Sequence, residues 1–435
     1  MKPLFAASLV LLLAGAGRAA DAPMPAALRD AIAAAVGSRI DAVTAGERAG
    51  QARSRRLAAA SSLLPQLTGT LSETRTFKVN LAAQGLSFPG FPSMLGPFDT
   101  FDARARLTQR LFDWGAWRRA QAGAAASRAA DAEEKAAREQ VAAAAALAYL
   151  EAVRAQRAVA AASANKEVAD RLLSLARDRK EQGAATGVDV VRAQARAADA
   201  DAALLRAQIA EREGQLLLKR VAGWPLGREL KLTDDFTAYS SSAPALDPSL
   251  TAAFSGRAEI GAAEERARAE TLAAKGAWGD RAPSVILVGD YARSGTMPSD
   301  SKNVGSIGGA LTVPIFAGGL GRARQEEAES RGREALAALA DVRQQVELDV
   351  RTALERLSES AREAGAADLS LSLAERELTM AQDRYAAGLG ASVDVIEAQA
   401  ELARAREAQV STLARYHSAR VNYASAIGKA GEFTL

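Results

Sequence analysis

The stretch Phe101-Asp102-Ala103-Arg104-Ala105-Arg106-Leu107-Thr108 runs on through Leu111-Phe112-Asp113-Trp114-Gly115 into about seventy residues that contain no proline. Its opening alternates apolar and charged side chains, the period of a strand; its continuation carries the unbroken pattern of a helix. At the helical rise, Asp113 to Gln182 makes a rod on the order of 100 Å long, far more than an ordinary globular domain needs. About 204 residues later the plan returns. Leu311-Thr312-Val313-Pro314-Ile315-Phe316-Ala317-Gly318-Gly319 leads from a strand into a second proline-free rod that reaches Gly388. One half of the chain is therefore read as a copy of the other, and the fold class as mainly α with a small β part.

Working outward, each copy opens with an Ala-rich amphipathic helix that stops at a proline. The first covers 25–64, with Leu28, Ile32, Val36, Ile40 and Val43 at helical spacing before Pro65; the second covers 246–281 and ends ahead of Pro283. Strands are expected at 66–79 and 101–112, and again at 284–293 and 304–316. The rods pair as antiparallel helical hairpins, 113–182 with 188–221 and 319–387 with 393–427. The repeats then span 20–222 and 246–435, joined by a connector at 223–245 in which Gly223, Trp224, Pro225, Gly227 and the run Ser240-Ser241-Ser242 break the periodicity. Leu336, Leu339, Val342, Val346, Val350, Leu354 and Leu357 form a coiled-coil-like seam. Elsewhere the seam is mostly alanine, which buries little per residue, so each rod needs neighbours on both sides. The pairs Arg343–Glu347, Glu347–Arg351 and Arg351–Glu355 are one turn apart and mark a wet face.

The strands have two unlike faces. Leu67, Gly69 and Leu71 oppose Thr68, Thr70, Ser72, Thr74 and Thr76, while Phe101, Ala103, Ala105 and Leu107 oppose Asp102, Arg104, Arg106 and Thr108. Ser306, Gly308, Ala310 and Thr312 continue the second set. A membrane barrel with lipid outside and water inside has this pattern, and so does a half-buried sheet of a soluble protein. Four strands cannot close a barrel, so a barrel requires several subunits. The hairpin loops are unequal, long at 80–100 with Phe88, Pro89, Gly90 and Phe91, short and polar at 294–303. Trp114, Trp117 and Trp278 flank strand ends and would fall on one rim, as interfacial aromatics do; a packing role is the alternative for each.

Met1-Lys2-Pro3, an apolar run from Leu4 to Ala16 and the small-residue exit Gly17-Arg18-Ala19-Ala20 have the form of a secretory signal peptide covering 1–19. Nothing later approaches the about 20 apolar residues of a membrane helix. The chain has no cysteine, hence no disulfides and no lipidated cysteine. Its formal charge of +3 is interleaved rather than clustered, which leaves no footprint for nucleic acid.

Catalytic chemistry has little to build on. The one histidine, His417, lies late in a helix with no metal-ligand spacing around it, and reads as an ordinary helix residue. Gly318-Gly319-Leu320-Gly321 follows a strand and opens a helix, but Arg324 replaces the third glycine of a dinucleotide loop; the glycines suit a sharp strand-to-rod turn. No catalytic residue, metal or cofactor is assigned. Asp394 and Glu397 share one helical face at the start of a returning helix, where acids also simply complement the helix dipole. Thr186 with Asp189 fits a capping box.

Phe112-Asp113-Trp114-Gly115 and Phe316-Ala317-Gly318-Gly319 resemble the strand-to-rod junctions of the TolC family of outer-membrane channels. The hairpin tips are similar as well: Arg384-Tyr385-Ala386-Ala387-Gly388 and Val393-Asp394-Val395-Ile396-Glu397-Ala398-Gln399, with a weaker first copy in Gly183, Thr186, Val188, Asp189, Val190, Val191, Arg192, Ala193 and Gln194. The resemblance covers nearly the whole mature chain. It departs at Lys180, where the family often has an aromatic, and at Ala391, which stands in the position of Thr186 with Ser392 one place later. What it implies is a homotrimer with a twelve-stranded barrel in outer-membrane lipid and a helical tunnel through the periplasm, docked to a periplasmic adaptor and an inner-membrane pump of the RND or ABC type. It also implies a narrow entrance lined by Asp394 and Glu397, with Asp189 beside it, and adaptor contacts at Gly183, Thr186, Gly388 and Ser392. Asp113, Gly115, Gly318 and Gly319 make the junctions, and Trp114, Trp117 and Trp278 meet the membrane interface. The rival reading is a periplasmic coiled-coil scaffold with no transport role.

Overall fold

The computed structural model describes residues 24–81, 83, 85, 92, 94–236, 239–240 and 244–435. The expected leader, the loop residues Phe88 to Phe91, and Ser241 and Ser242 lie outside the described residues. The chain divides into two compact units that each draw on both repeats: one from residues up to Ala42, Arg138–Ser249 and Val350–Leu435, the other from Val43–Ala137 and Leu250–Asp349. The tandem copies of the sequence are thus interleaved in space.

The opening helix of each repeat differs from expectation in the same way. Instead of one helix over 25–64 there is a short strand, β1 (Met24–Ala26), then α1 (Leu28–Ser38) and α2 (Ile40–Ser61). Instead of one helix over 246–281 there are α5 (Leu246–Gly256) and α6 (Ala258–Gly279). Both breaks fall on an arginine in extended backbone, Arg39 (ψ 134°) and Arg257 (ψ 114°). Arg257 is held there by Glu259 at 3.1 Å and Asp349 at 3.3 Å. Because Arg39 interrupts the helix, the apolar stripe does not continue through it: Leu28 and Ile32 are buried, whereas Ile40 is exposed.

In the first unit, α1 packs on the middle of the long helix α3 (Trp114–Glu181), on α4 (Gly187–Ala222) and on α8 (Ser392–Ala426). The core here is Leu28, Ile32, Tyr149, Leu150, Val153, Leu218 and Val421, filled in by alanines. The connector contributes β6 (Leu230–Leu232), which pairs in parallel with β1, a pairing too short to leave a periodic signal in the sequence. Tyr149 is fully buried beneath it; its hydroxyl donates to the Ala26 carbonyl at 2.9 Å and accepts the Asp234 N–H at 3.3 Å. Burial pushes the phenol pKa up to about 12. Tyr149→Phe leaves the Asp234 amide without that acceptor, and is expected to cost about 1–3 kcal/mol, seen as a lower urea midpoint at unchanged slope. An unchanged midpoint would mean that this hydrogen bond contributes nothing net.

His417 is also fully buried, stacked on Phe236 with ring centroids 5.0 Å apart and set edge-on to Tyr416. It is a packing residue where the connector meets α8, more constrained than a late-helix position suggests.

In the second unit, β2 (Gln66–Thr76), β5 (Phe98–Phe112), β7 (Ser284–Gly295) and β8 (Lys302–Thr312) form one antiparallel sheet in the order β2-β5-β7-β8. Between β2 and β5, the two-residue strands β3 (Val79–Asn80) and β4 (Met94–Leu95) pair across the base of the long loop. β2 ends three residues earlier and β5 begins three residues earlier than expected, and β8 ends four residues earlier, the last because Pro314 cannot donate to a ladder. Beneath the sheet, ion pairs link the helices: Arg53–Asp131 at 3.0 Å, Arg128–Glu265 at 2.8 Å, and Arg343 of α7 (Leu320–Ala386) to Glu264 at 2.8 Å. Arg343 therefore reaches across to another helix in addition to lying one turn from Glu347. Along α7, Val346 and Val350 are buried as the seam requires, while Leu336 is half exposed.

Candidate functional site

The register gives the sheet two faces. Leu67, Leu71, Leu107, Tyr291, Ile307 and Leu311 share one face and are exposed. The other carries Thr68, Thr70, Ser72, Asp102, Arg104, Arg106, Asp290 and Ser306. There Arg104 pairs with Asp102 at 3.0 Å and with Asp290 at 2.8 Å, and Ser306 donates to Asp290 at 2.7 Å. An apolar face left uncovered by the described residues, backed by an ion-pair face, is what a wall between lipid and water requires.

Where strand becomes rod, Asp113 caps α3 by accepting the Ala116 N–H at 2.8 Å, and it pairs with Arg110 at 2.6 Å. Gly115 is buried against Asp280 and the Gly276 carbonyl, with Gly279 packed directly on it. In the second copy, Gly318 and Gly319 have φ of +59° and +84°, a backbone that only glycine adopts freely. The Gly115–Gly279 contact brings the tryptophans to one level: Trp114 lies against Gly279 and 5.1 Å from Trp117, with the Arg118 guanidinium 4.3 Å over Trp114 and 4.7 Å over Trp117. Trp117 and Trp278 are each about half exposed.

The hairpin tips are two editions of one turn. Gly183 and Gly388 close α3 and α7 with φ of +74° and +75°, and the amides of Ala184 and Leu389 reach back to Arg179 and Arg384 at 2.8 and 2.9 Å. α4 then starts with a complete capping box: the Asp189 carboxylate accepts the Thr186 N–H at 2.9 Å and its hydroxyl at 2.7 Å. α8 starts with half of one, because Ala391 has no side-chain acceptor and only its N–H reaches Asp394, at 3.4 Å.

The two tips are also tied to each other. Ser392 donates to Asp189, while Arg179 donates to the Tyr385 carbonyl and lies 4.5 Å over the Tyr385 ring. The Ser392 and Thr186 hydroxyls hold the Asp189 carboxyl below the usual carboxylate range. Asp189 is thus an internal brace, unlike Asp394 and Glu397, which are exposed on α8. Thr186 and Ser392 have their hydroxyls turned to that brace, leaving Val188, Val191, Leu389 and Val393 as the apolar surface of the tips. Sequence reasoning missed Arg179 and Tyr385 as a pair; their only signal was that Arg179 and Arg384 occupy matching places in the two turns.

A sheet with one lipid-compatible and one charged face, continued by paired rods of nearly seventy residues, defines a channel-forming outer-membrane protein. The outer membrane efflux protein family model matches residues 38–223 and 250–429, one block for each repeat. The chain belongs to that family: it is an outer-membrane efflux channel, and the scaffold reading falls away. Known structures agree on the fold. The outer-membrane channel OprN superposes with a TM-score of 0.80 at 21% identity, covering 92% of this chain and 90% of that one. VceC of Vibrio cholerae gives 0.79 at 23% identity over 92% and 96% of the two chains, and CmeC of Campylobacter jejuni 0.80 at 19% over 93% and 86%. A search of curated proteins gives no significant match to this sequence. Among the described residues no helix is long and apolar enough to cross a membrane.

Proposed function

We propose that the chain is the passive exit duct of a three-part export machine. Three copies supply four strands each to one barrel, and their helical hairpins enclose a tunnel that opens toward the periplasm. The tips around Gly183, Thr186, Gly388 and Ser392 dock to a periplasmic adaptor, and through it to an inner-membrane pump of the RND or ABC type that supplies the energy. The observation that carries this reading is the open four-stranded sheet with a bare apolar face and a charged face, which satisfies its backbone in a bilayer only by closing with sister sheets. The duct itself performs no catalysis.

Asp394 and Glu397 form the entrance, with Asp189 bracing it from behind. Threefold repetition stacks two rings of carboxylates, a field that concentrates cations and holds divalent ones in the constriction, where they bridge the rings and block it. Asp394→Ala with Glu397→Ala is expected to raise single-channel conductance in planar bilayers and to weaken block by divalent cations. Identical currents and identical block in the variant would remove these two residues from the entrance.

A further inference from the structure

The apolar face of the sheet runs out at the strand-to-rod corner. A register shift between Arg110 and Phe112 turns Phe112 onto that face, in line with Val285 and Leu311, and both Phe112 and Leu311 are more than half exposed. Two residues on, α3 begins. Trp114, Trp117, Arg118 and Gln121 recur there at the three- and four-residue steps that put them on one side of the helix. The opposite side carries Ala116, which is buried, and Gly123, which packs on Ala59 of α2. The stripe and its support therefore belong to one chain, and the corner is complete without a second copy.

Arg118 is the unusual member of the stripe. Its guanidinium lies 4.3 Å over Trp114 and 4.7 Å over Trp117, and its Nη1 donates to Gln121 at 3.0 Å, its single hydrogen bond among the described residues. The Nε beside it is buried with no partner. The other arginines of the corner are spoken for: Asp113 neutralises Arg110, Asp280 neutralises Arg119, and Arg281 donates to Gln325 at 3.2 Å. Arg118 has no carboxylate of its own, so the corner keeps positive charge in excess. A guanidinium is weakly hydrated and presents a planar fork of donors that matches a phosphate. Indole faces hold the cation in place without competing for its N–H groups.

We propose that Arg118, walled by Trp114 and Trp117, binds the phosphate of an anionic glycerophospholipid. The phosphate accepts from the free edge of the guanidinium, and the acyl chains lie along the uncovered sheet face that ends at Phe112. One amphipathic molecule thus meets both halves of the corner, the cation and the apolar surface. A free phosphate ion has the same headgroup chemistry but gains nothing from the apolar face, which is why the lipid is the occupant. The half-exposed Trp117 and Trp278 suit the level of the headgroups, where apolar rings with a polar edge collect. The inference rests on the reading that the sheet meets lipid, and it gives that boundary a specific ligand.

The test uses full-length protein extracted from outer membrane in nonionic detergent and stripped of lipid. Dioleoylphosphatidylglycerol in mixed micelles is expected to raise its thermal midpoint saturably, while dioleoylphosphatidylcholine and sodium phosphate, as separate arms, raise it far less. In Arg118→Gln the lipid concentration for half the effect should increase by about tenfold or more. Gln121→Glu should do the same with the packing intact, because its carboxylate occupies the guanidinium from within; it also serves should Arg118→Gln fold poorly. Arg404→Gln, which removes one charge from the other unit, should titrate like wild type. Unchanged titration in both corner variants, or an equal loss in Arg404→Gln, overturns the site. A rise with sodium phosphate or with phosphatidylcholine equal to that with phosphatidylglycerol overturns the anionic-lipid assignment. These outcomes spare the membrane reading, whereas wild-type protein that washes off membranes at high salt overturns both.

Discussion

Gly279→Val is expected to prevent normal assembly of the strand-to-rod junction, with a large loss of folded protein from the outer membrane and a markedly lower thermal midpoint in what remains. A Cβ at Gly279 would lie 2.7 Å from the Gly115 nitrogen, 2.8 Å from its Cα and 2.7 Å from Trp114 Cδ1. Two of those obstacles are backbone, so no rotamer change relieves the clash. Overpacking of this kind costs about 1–3 kcal/mol, more where nothing can yield, and this contact sets the angle at which α6 and α3 both leave the sheet. Gly37→Ala is the matching control, since nothing lies within 4 Å of its added methyl; it should be neutral or slightly stabilising. If Gly279→Val and wild type melt together, the junction is not the rigid corner described here.

The long rods, the four strands and the doubling of the whole plan were legible because each rests on a period sustained over many residues. Leu67, Leu71, Asp102 and Arg104 alternate strongly enough to assign their faces before any neighbour is known, and the register places them as read. The breaks at Arg39 and Arg257 were not legible. Gly37 and Gly256 lie within two residues of these positions, but single glycines also occur inside unbroken helices here, and the conformation at the second break is fixed by the hold of Glu259 and Asp349 on Arg257. The β1–β6 pairing escaped for a related reason, three residues on each side carrying no measurable pattern. At the tips, composition marked the glycines and the capping acids. It could not say that Asp189 would face inward to Ser392 while Asp394 stayed exposed, because that distinction arises only when the two hairpins lie side by side.

Those ties lead to the second large effect. Arg179→Ala combined with Ser392→Ala should raise single-channel conductance severalfold, more than either change alone, while leaving α4 capped by the untouched Thr186–Asp189 pair. Each tie contributes about 1 kcal/mol after competition with water, and about 1.4 kcal/mol shifts an equilibrium tenfold, so losing both moves a closed tip toward an open one. The tied tip already carries a cost: the Tyr385 hydroxyl is buried with no hydrogen-bond partner among the described residues, and separating the hairpins would hydrate it. Burial raises the pKa of this phenol, and the nearby Asp189 charge adds to the shift against the opposing influence of Arg179. Acid tests the same latch. The Asp189 carboxyl is held below its ordinary value, so its tie to Ser392 is fully present above about 3.9 and is lost as pH falls through the lower folded value. In an Asp394→Asn/Glu397→Gln background, current should stay level from about pH 8 to pH 5 and rise only below about pH 4. A flat response down to pH 3, together with wild-type conductance in the Arg179→Ala/Ser392→Ala variant, would show that these contacts brace the tip without governing its opening.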